Sequence, residues 1–317
     1  MDERFGQHKE ALLERASEKA AQGGSCDLAA RFVRHFFRRV PVAEIQDTSP
    51  EHLANMATSF LDFARQRVGD EVLFRIYSPR LDKNGWESTH TVIEIVNDDM
   101  PFLVDSVVLA LSQLDIAAHL IIHPVVPVRR DQGGHLLALD EEKGGETAGE
   151  RVESMMHLQI DRQNYPEMLA RIEERIRAAL ADVARAVADW KPMLERSAEI
   201  AAELPRTHKA LSPEMRQEAQ DFFEWLAEDH FTYLGYREYA IEEKDGERVL
   251  RALAESGLGI MHPDHRAAPV RPLSELARDG EAVSPDDPII ITKTNAISRV
   301  HRGGYMDYIS VLYFDDD

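Results

Sequence analysis

Residues 89–131 read THTVIEIVNDDMPFLVDSVVLALSQLDIAAHLIIHPVVPVRRD, and the order of patterns within this stretch decides the fold class. HTVIEIVND (90–98) is rich in β-branched residues and predicts a strand. In PFLVDSVVLALSQL (101–114), Leu103, Val104, Val107, Val108, Leu111 and Leu114 recur every three or four residues, so a helix follows the strand directly. HLIIHPVVPV (119–128) is β-rich again, and RRDQGGHLLALD predicts a hairpin turning at Gly133–Gly134. SMMHLQID alternates, with Met156, Leu158 and Ile160 on one side. A long helix begins near Tyr165 and carries Leu169, Ile172, Ile176, Leu180, Val183, Val187 and Trp190 on one stripe. That stripe extends toward Leu194 with a kink at Pro192. The order β–α–β–β–α is that of a ferredoxin-like α+β sandwich. Its last strand is not visible, but VLFRIY (72–77), lying upstream, is able to fill an edge of the sheet.

Outside this unit the patterns change. Residues 5–66 read as helices, with Leu28, Phe32, Phe36 and Phe37 at helical spacing. After Pro41, Thr48 or Ser49 is placed to cap a second run, Thr48 with Glu51 fits a capping box, and Pro50 suits the first turn. Leu53, Met56, Phe60 and Phe63 then line one face. EEKGGETAGER (141–151) is a polar, glycine-rich loop. A domain boundary falls in ELPRTHKALSP (203–213). Beyond it, Ser212 and Pro213 open a helix with Met215, Ala219, Phe222, Phe223 and Leu226 inward, and strands are expected at 230–241, 248–253, 288–293, 297–301 and 306–314. The expected division is a helical segment 1–68, an α+β domain 69–205 and a second α+β region 206–317.

Composition narrows the function classes. The 317 residues include 57 acidic and 37 basic side chains, a net charge of −20, which disfavours nucleic acid or an anionic membrane as partner. Hydrophobic residues make up 44%, enough for a core in each region. The one cysteine, Cys26, excludes a disulfide framework within the chain, and the charged start lacks an apolar signal core. A soluble, cytoplasmic protein is expected. The chain stops at VLYFDDD (311–317), which reads as a cut inside a longer protein.

The familiar catalytic signatures are missing. Neither G-x-G-x-x-G after a strand nor G-x-x-x-x-G-K-[ST] occurs, and Gly257-Leu-Gly259 is plainer as a turn than as a dinucleotide site. His262 with His265, or His119 with His123, offers two metal ligands without a third, so no metal site is assigned. Cys26 follows Gly23-Gly24-Ser25 near a helix start, which lowers a thiol pKa, but it has no nameable base. Asp98–Asp99, Asp115 and Asp315–Asp317 read as caps or solvated acids. No catalytic residue and no cofactor site is assigned. The segment singled out is the strand-to-helix junction Asn97, Asp98, Asp99, Met100, Pro101 and Phe102, where backbone donors at a helix start face polar side chains. The plainer reading is that Asp98 or Asp99 caps the helix and Pro101 sits in its first turn.

At this junction the sequence resembles the regulatory-type region of the large bacterial NAD-specific glutamate dehydrogenases. The resemblance continues through ESMMHLQIDRQ, DFFEWLAEDHFTYLGYREY and IIITKTNAISRVHRGGYMDYISVLYFD, and covers most of 25–317. It implies an amino-terminal, ACT-like regulatory and assembly region whose parent oxidises L-glutamate to 2-oxoglutarate and ammonium with NAD. It also implies a catalytic domain downstream in the same chain, a homo-oligomer and an amino-acid effector. In ligand-binding ACT domains a glycine usually follows the proline of this loop; here Pro101 is followed by Phe102, whose Cβ restricts close approach of a ligand to the backbone. A free-standing ACT-type amino-acid sensor is the competing class. A hydrolase using the histidine–aspartate sets is a third, without converging residues.

Overall fold

The computed structural model describes residues 2–22, 26–139, 150–207, 211–264, 270–276 and 289–313. Residues 141–149 of the expected polar loop 141–151, Gly23-Gly24-Ser25, the side chain of Cys26, His265 and Asp315–Asp317 lie outside the described residues, while Glu150 and Arg151, expected in that loop, belong to a strand. The chain forms two compact units, Met1–Arg177 and Ala178–Asp317.

The first unit opens with α1 (Asp2–Ala21), α2 (Cys26–Phe37) and α3 (Pro50–Ala64). Of the two possible caps of α3, Ser49 is used: its side chain accepts from the His52 N–H, and Pro50 takes the first helical position. The three helices pack on one another. Their apolar stripes meet in a cluster in which Phe32, Phe36, Phe37, Leu53 and Phe60 are fully buried, with Phe63 against its margin.

Beyond α3 come β1 (Leu73–Tyr77), the short α4 (Leu81–Asn84), β2 (Thr91–Asp98), α5 (Leu103–Ser112), β3 (Ala118–Ile122), β4 (Val125–Arg130), β5 (Leu136–Leu139), β6 (Glu150–Ile160) and α6 (Pro166–Ala188). The strands make one antiparallel sheet in the order β1-β2-β6-β4-β5, with β3 also pairing β6. The upstream strand β1 does fill the edge beside β2, opposing it antiparallel from Leu73↔Val96 to Tyr77↔Val92. The hairpin of β4 and β5 turns through Gly134 as expected.

Successive side chains along a strand point to opposite faces. One face carries Val92, Val96, Val126, Val128 and Met155, which join the cluster of α1–α3. The other carries Ile93, Ile95, Met156, Leu158 and Ile160, all fully buried. On that second face the Arg177 guanidinium of α6 lies 5.0 Å over the Phe74 ring. Val107 and Leu111 of α5 and Ile172 and Ile176 of α6 are buried, as their spacing required, whereas Val104 and Leu169 are half-buried.

A polar set is sealed between the helical layer and the sheet. Glu94 and His157, both fully buried, share a 2.9 Å hydrogen bond. Arg75 donates to Glu94 at 2.5 Å and lies between the rings of Phe63 and Tyr77, each 4.6 Å away.

In the second unit the long helix does not run through a kink at Pro192. It breaks at Asp189, and α7 (Trp190–Thr207) begins there with Pro192 in its first turn, where a missing N–H costs nothing. Next comes α8 (Pro213–Trp225), capped by Ser212, whose side chain accepts from the Met215 N–H. Ala219, Phe223 and Leu226 are buried with Ala201 and Leu204 of α7, but Met215 is 47% exposed rather than inward. A π-helical turn, Leu226–His230, occupies the start of the strand expected at 230–241. Strand structure resumes as β7 (Gly235–Tyr236), β8 (Tyr239–Lys244), β9 (Glu247–Ala252), β10 (Leu258–Gly259) and β11 (Arg271–Pro272). The described residues end in a hairpin of β12 (Ile289–Ile297) and β13 (Tyr305–Val311). Residues 298–301, expected as strand, form its connection: His301 has φ of 62°, outside extended geometry. Among the described residues no helix is long and apolar enough to cross a membrane.

Candidate ligand loop and its anchoring network

The six singled-out residues occupy the turn from β2 into α5. Asn97 and Asp98 are the last residues of β2, registered opposite Ser154 and Glu153. Strand alternation sends their side chains to opposite faces, so they do not converge on one ligand. Asn97 is 4% exposed, and its amide makes no hydrogen bond to another described residue. Asp99 is exposed and donates its N–H to the Val152 carbonyl at 2.9 Å. Met100 and Phe102 are half-buried, and Pro101 is exposed.

The plainer expectation about the cap is corrected here. Neither Asp98 nor Asp99 caps α5, and Pro101 precedes the helix instead of sitting in its first turn. The cap position belongs to Phe102, with φ of 71° and no side-chain cap hydrogen bond. That left-handed conformation suits glycine and costs a residue with a Cβ about 1–3 kcal/mol.

Asp98 belongs to a charged network. Its Oδ1 accepts from Arg67 Nη1 and Arg151 Nε, each at 2.9 Å, and from Arg151 Nη2. Burial opposes its ionisation, but the hydrogen bonds from Arg67 and Arg151 outweigh that and hold its pKa below the ordinary carboxylate value. Beside it Glu153, fully buried, accepts from Arg67 Nη1 (2.9 Å), Arg130 Nε (2.9 Å) and Arg130 Nη2 (2.8 Å). Arg130 also donates to the carbonyls of Ala64 and Gly134, and Arg67 to that of Glu71. The chain after α3 is thereby tied to the β2 end of the sheet. Gly134 is required here: a Cβ would stand 2.2 Å from the Arg67 carbonyl oxygen, and φ is +79°. Arg67 Nη2 is a buried donor without a partner among the described residues.

His123, in the break between β3 and β4, bonds Ser154 Oγ at 2.7 Å. Burial depresses its pKa, Asp99 opposes that and Arg39 adds to it, so the ring is neutral at neutral pH. His119 instead pairs with Asp161 at 2.7 Å, so the two histidines serve different partners. Among the described residues no group of histidine, cysteine and carboxylate side chains is arranged to hold a metal ion. Gly259 is a turn residue, with φ of +58°, and an added Cβ would stand 2.3 Å from the Leu234 carbonyl oxygen.

Sequence reasoning found the junction but missed Arg67, Arg130, Arg151 and Glu153. The available signal was Glu153 itself, a charge at the head of the alternating run that continues as SMMHLQI. The model of the family described as glutamate dehydrogenase, ACT1 domain, matches residues 32–176. This stretch belongs to the ACT1 family. Around that ACT1 domain, similarity extends over nearly the whole chain. A protein of Halomonas elongata named NAD-specific glutamate dehydrogenase is 32% identical over 312 residues, 96% of this chain and 19% of its own length. Its namesake in Pseudomonas aeruginosa is 31% identical over 90% of this chain and 18% of its own length. One from Mycobacterium tuberculosis is 28% identical over 71% of this chain and 13% of its own length. The chain therefore spans less than a fifth of the length of the curated relatives it matches.

Proposed function

We propose that this chain is the amino-terminal regulatory and assembly region of a cytoplasmic, NAD-dependent glutamate dehydrogenase. The observation that carries this reading is the ACT1 match over residues 32–176 of this chain, together with its similarity to relatives several times longer and named for that enzyme. In this reading the parent oxidises L-glutamate to 2-oxoglutarate and ammonium. NAD binds a catalytic domain elsewhere in the same chain, the parent is a homo-oligomer, and the present residues carry no active site. The purified chain is expected to form no NADH from L-glutamate; turnover that survives removal of host enzyme overturns the non-catalytic assignment.

Regulation acts through an amino-acid effector at 97–102. The start of α5 holds the carboxylate, because the helix dipole favours negative charge there. Asn97 supplies its uncommitted amide. Asp98 is engaged by Arg67 and Arg151, so exposed Asp99 is the acid that receives the ammonium group. Calorimetric titration of the common amino acids tests the site. Binding weakened at least about tenfold by Asn97→Ala or Asp99→Asn supports it, and binding indifferent to both moves the site elsewhere.

A further inference from the structure

Two helix faces of this chain carry opposite charge at the same spacing. On α2 and the residue after it, Arg31, Arg34 and Arg38 stand at i, i+3 and i+7, all exposed, with exposed Arg39 beside them. Arg31 is paired with Asp27 at 3.0 Å; Arg34, Arg38 and Arg39 have no carboxylate partner among the described residues. Lys9 adds a further cation, its Nζ donating to the carbonyls of Arg38 and Val40. In a chain of net charge −20 this is a local reversal of sign.

The second face lies on α8 and its π-helical continuation. Asp221, Glu224 and Glu228 also stand at i, i+3 and i+7 and are exposed. Gln217 and Gln220 donate to the first two, but no cation pairs with any of the three among the described residues. Within this acidic stripe Trp225 is 43% exposed. It stacks on Phe222 (6.3 Å, 27°) and on His230 (4.7 Å, 23°), with the 38%-exposed Phe231 edge-on at 5.5 Å. A solvated helix face accounts for the acids. It does not account for an exposed stack of aromatic rings, which is the composition of an interface centre.

We propose that the basic end of α2 in one copy of the chain docks on the acid-rimmed Trp225 stack of a second copy. Sign and spacing both argue for this occupant. A step of three residues is about 4.5 Å along an α-helix axis, so Arg31 and Arg34 on α2 match Asp221 and Glu224 on α8 in spacing, while Arg38 in the turn after α2 and Glu228 in the π-helical turn prolong the two charged stripes. Arginine is also the cation best suited to the face and rim of an indole. Because the paired faces differ, the contact is head-to-tail, able to close a ring or extend. The inference goes beyond the regulatory reading and is independent of the ligand loop.

Sedimentation velocity of the 317-residue chain tests it. Concentration-dependent association is expected, weakened at least about tenfold between about 50 and about 500 mM salt. Arg34→Glu with Arg38→Glu, or Asp221→Lys with Glu224→Lys, is expected to weaken self-association at least about tenfold. Mixing the two double variants should restore it, since each then meets its opposite. Trp225→Ala should weaken association with the circular dichroism unchanged. A chain that stays monomeric at every salt concentration overturns the proposal. So does association indifferent to both reversals, failure of the mixture to recover, or a sedimentation change without a change in mass.

Discussion

Glu153→Gln removes one negative charge from the most enclosed part of the network and almost no volume. In the native chain Glu153 is fully buried and takes three hydrogen bonds from Arg67 and Arg130, which are themselves 1% and 6% exposed. The amide keeps one acceptor oxygen but turns an NH2 group toward guanidinium donors, and the two arginines are left with Asp98 as their nearest carboxylate. Breaking a buried ion pair by neutralising one partner costs about 3–5 kcal/mol. The retained oxygen puts this variant near the lower figure, about 3 kcal/mol. For a folding unit of this size that is a fall in Tm of about 6–12 °C. Differential scanning calorimetry and urea unfolding followed by circular dichroism both read it. A fall of less than about 2 °C would refute the reasoning, because it would mean that the arginines find compensation without Glu153. As a companion, replacing Glu153 with Leu and Arg67 and Arg130 with Met should recover most of the loss, since desolvation and attraction in a buried network nearly cancel.

Asp98, whose pKa is lowered in the fold, contributes stability that is present above its ordinary value of 3.8 and is lost as pH falls through the lowered value. An Asp98→Asn variant should lack this segment of acid sensitivity in a pH series of urea midpoints; an unchanged profile counts against the Arg67 and Arg151 pairing. Gly134→Ala drives a Cβ to 2.2 Å from a backbone oxygen at positive φ and should lower stability by at least about 2 kcal/mol, read from the same urea curves. Val107→Asp places an unpaired carboxylate at a fully buried position and should cost several kcal/mol, with an unchanged Tm contradicting the core assignment.

Periodicity made the elements legible in sequence because each buries one face and shows the same residue type at fixed intervals. The β–α–β–β–α order, the Gly134 hairpin and even the edge role of Leu73–Tyr77 followed from it. What each face packs against was not legible. An amphipathic helix states that it has an apolar stripe, not which surface receives it, so α1–α3 gave no sign that they cover one side of the β2–β6 sheet. The consequence is visible in TVIEIVND, whose first seven residues are buried because both faces are covered. The candidate loop was located by its place between strand and helix. Its commitments were not, because Arg67 and Arg151 reach Asp98 from 31 and 53 residues away in sequence. Phe102 shows the same gap: sequence treats its Cβ as an obstacle, while the backbone carries it in the left-handed region regardless.

The placement of β1 beside β2 sets an order of events during synthesis. The ferredoxin-like pattern normally awaits a final strand, made after the second helix, before its first strand gains an outer neighbour. Here that neighbour precedes β2 in the chain, so β1 and β2 are able to zip together as soon as both have left the ribosome. Once β6 is out, the sheet has all of its strands. At about 5–20 residues per second, the 70 residues from Thr91 to Ile160 take on the order of 3.5–14 seconds, and none of that interval is spent waiting for a closing strand. With no strand required after it, α6 is released from turning back and carries the chain onward.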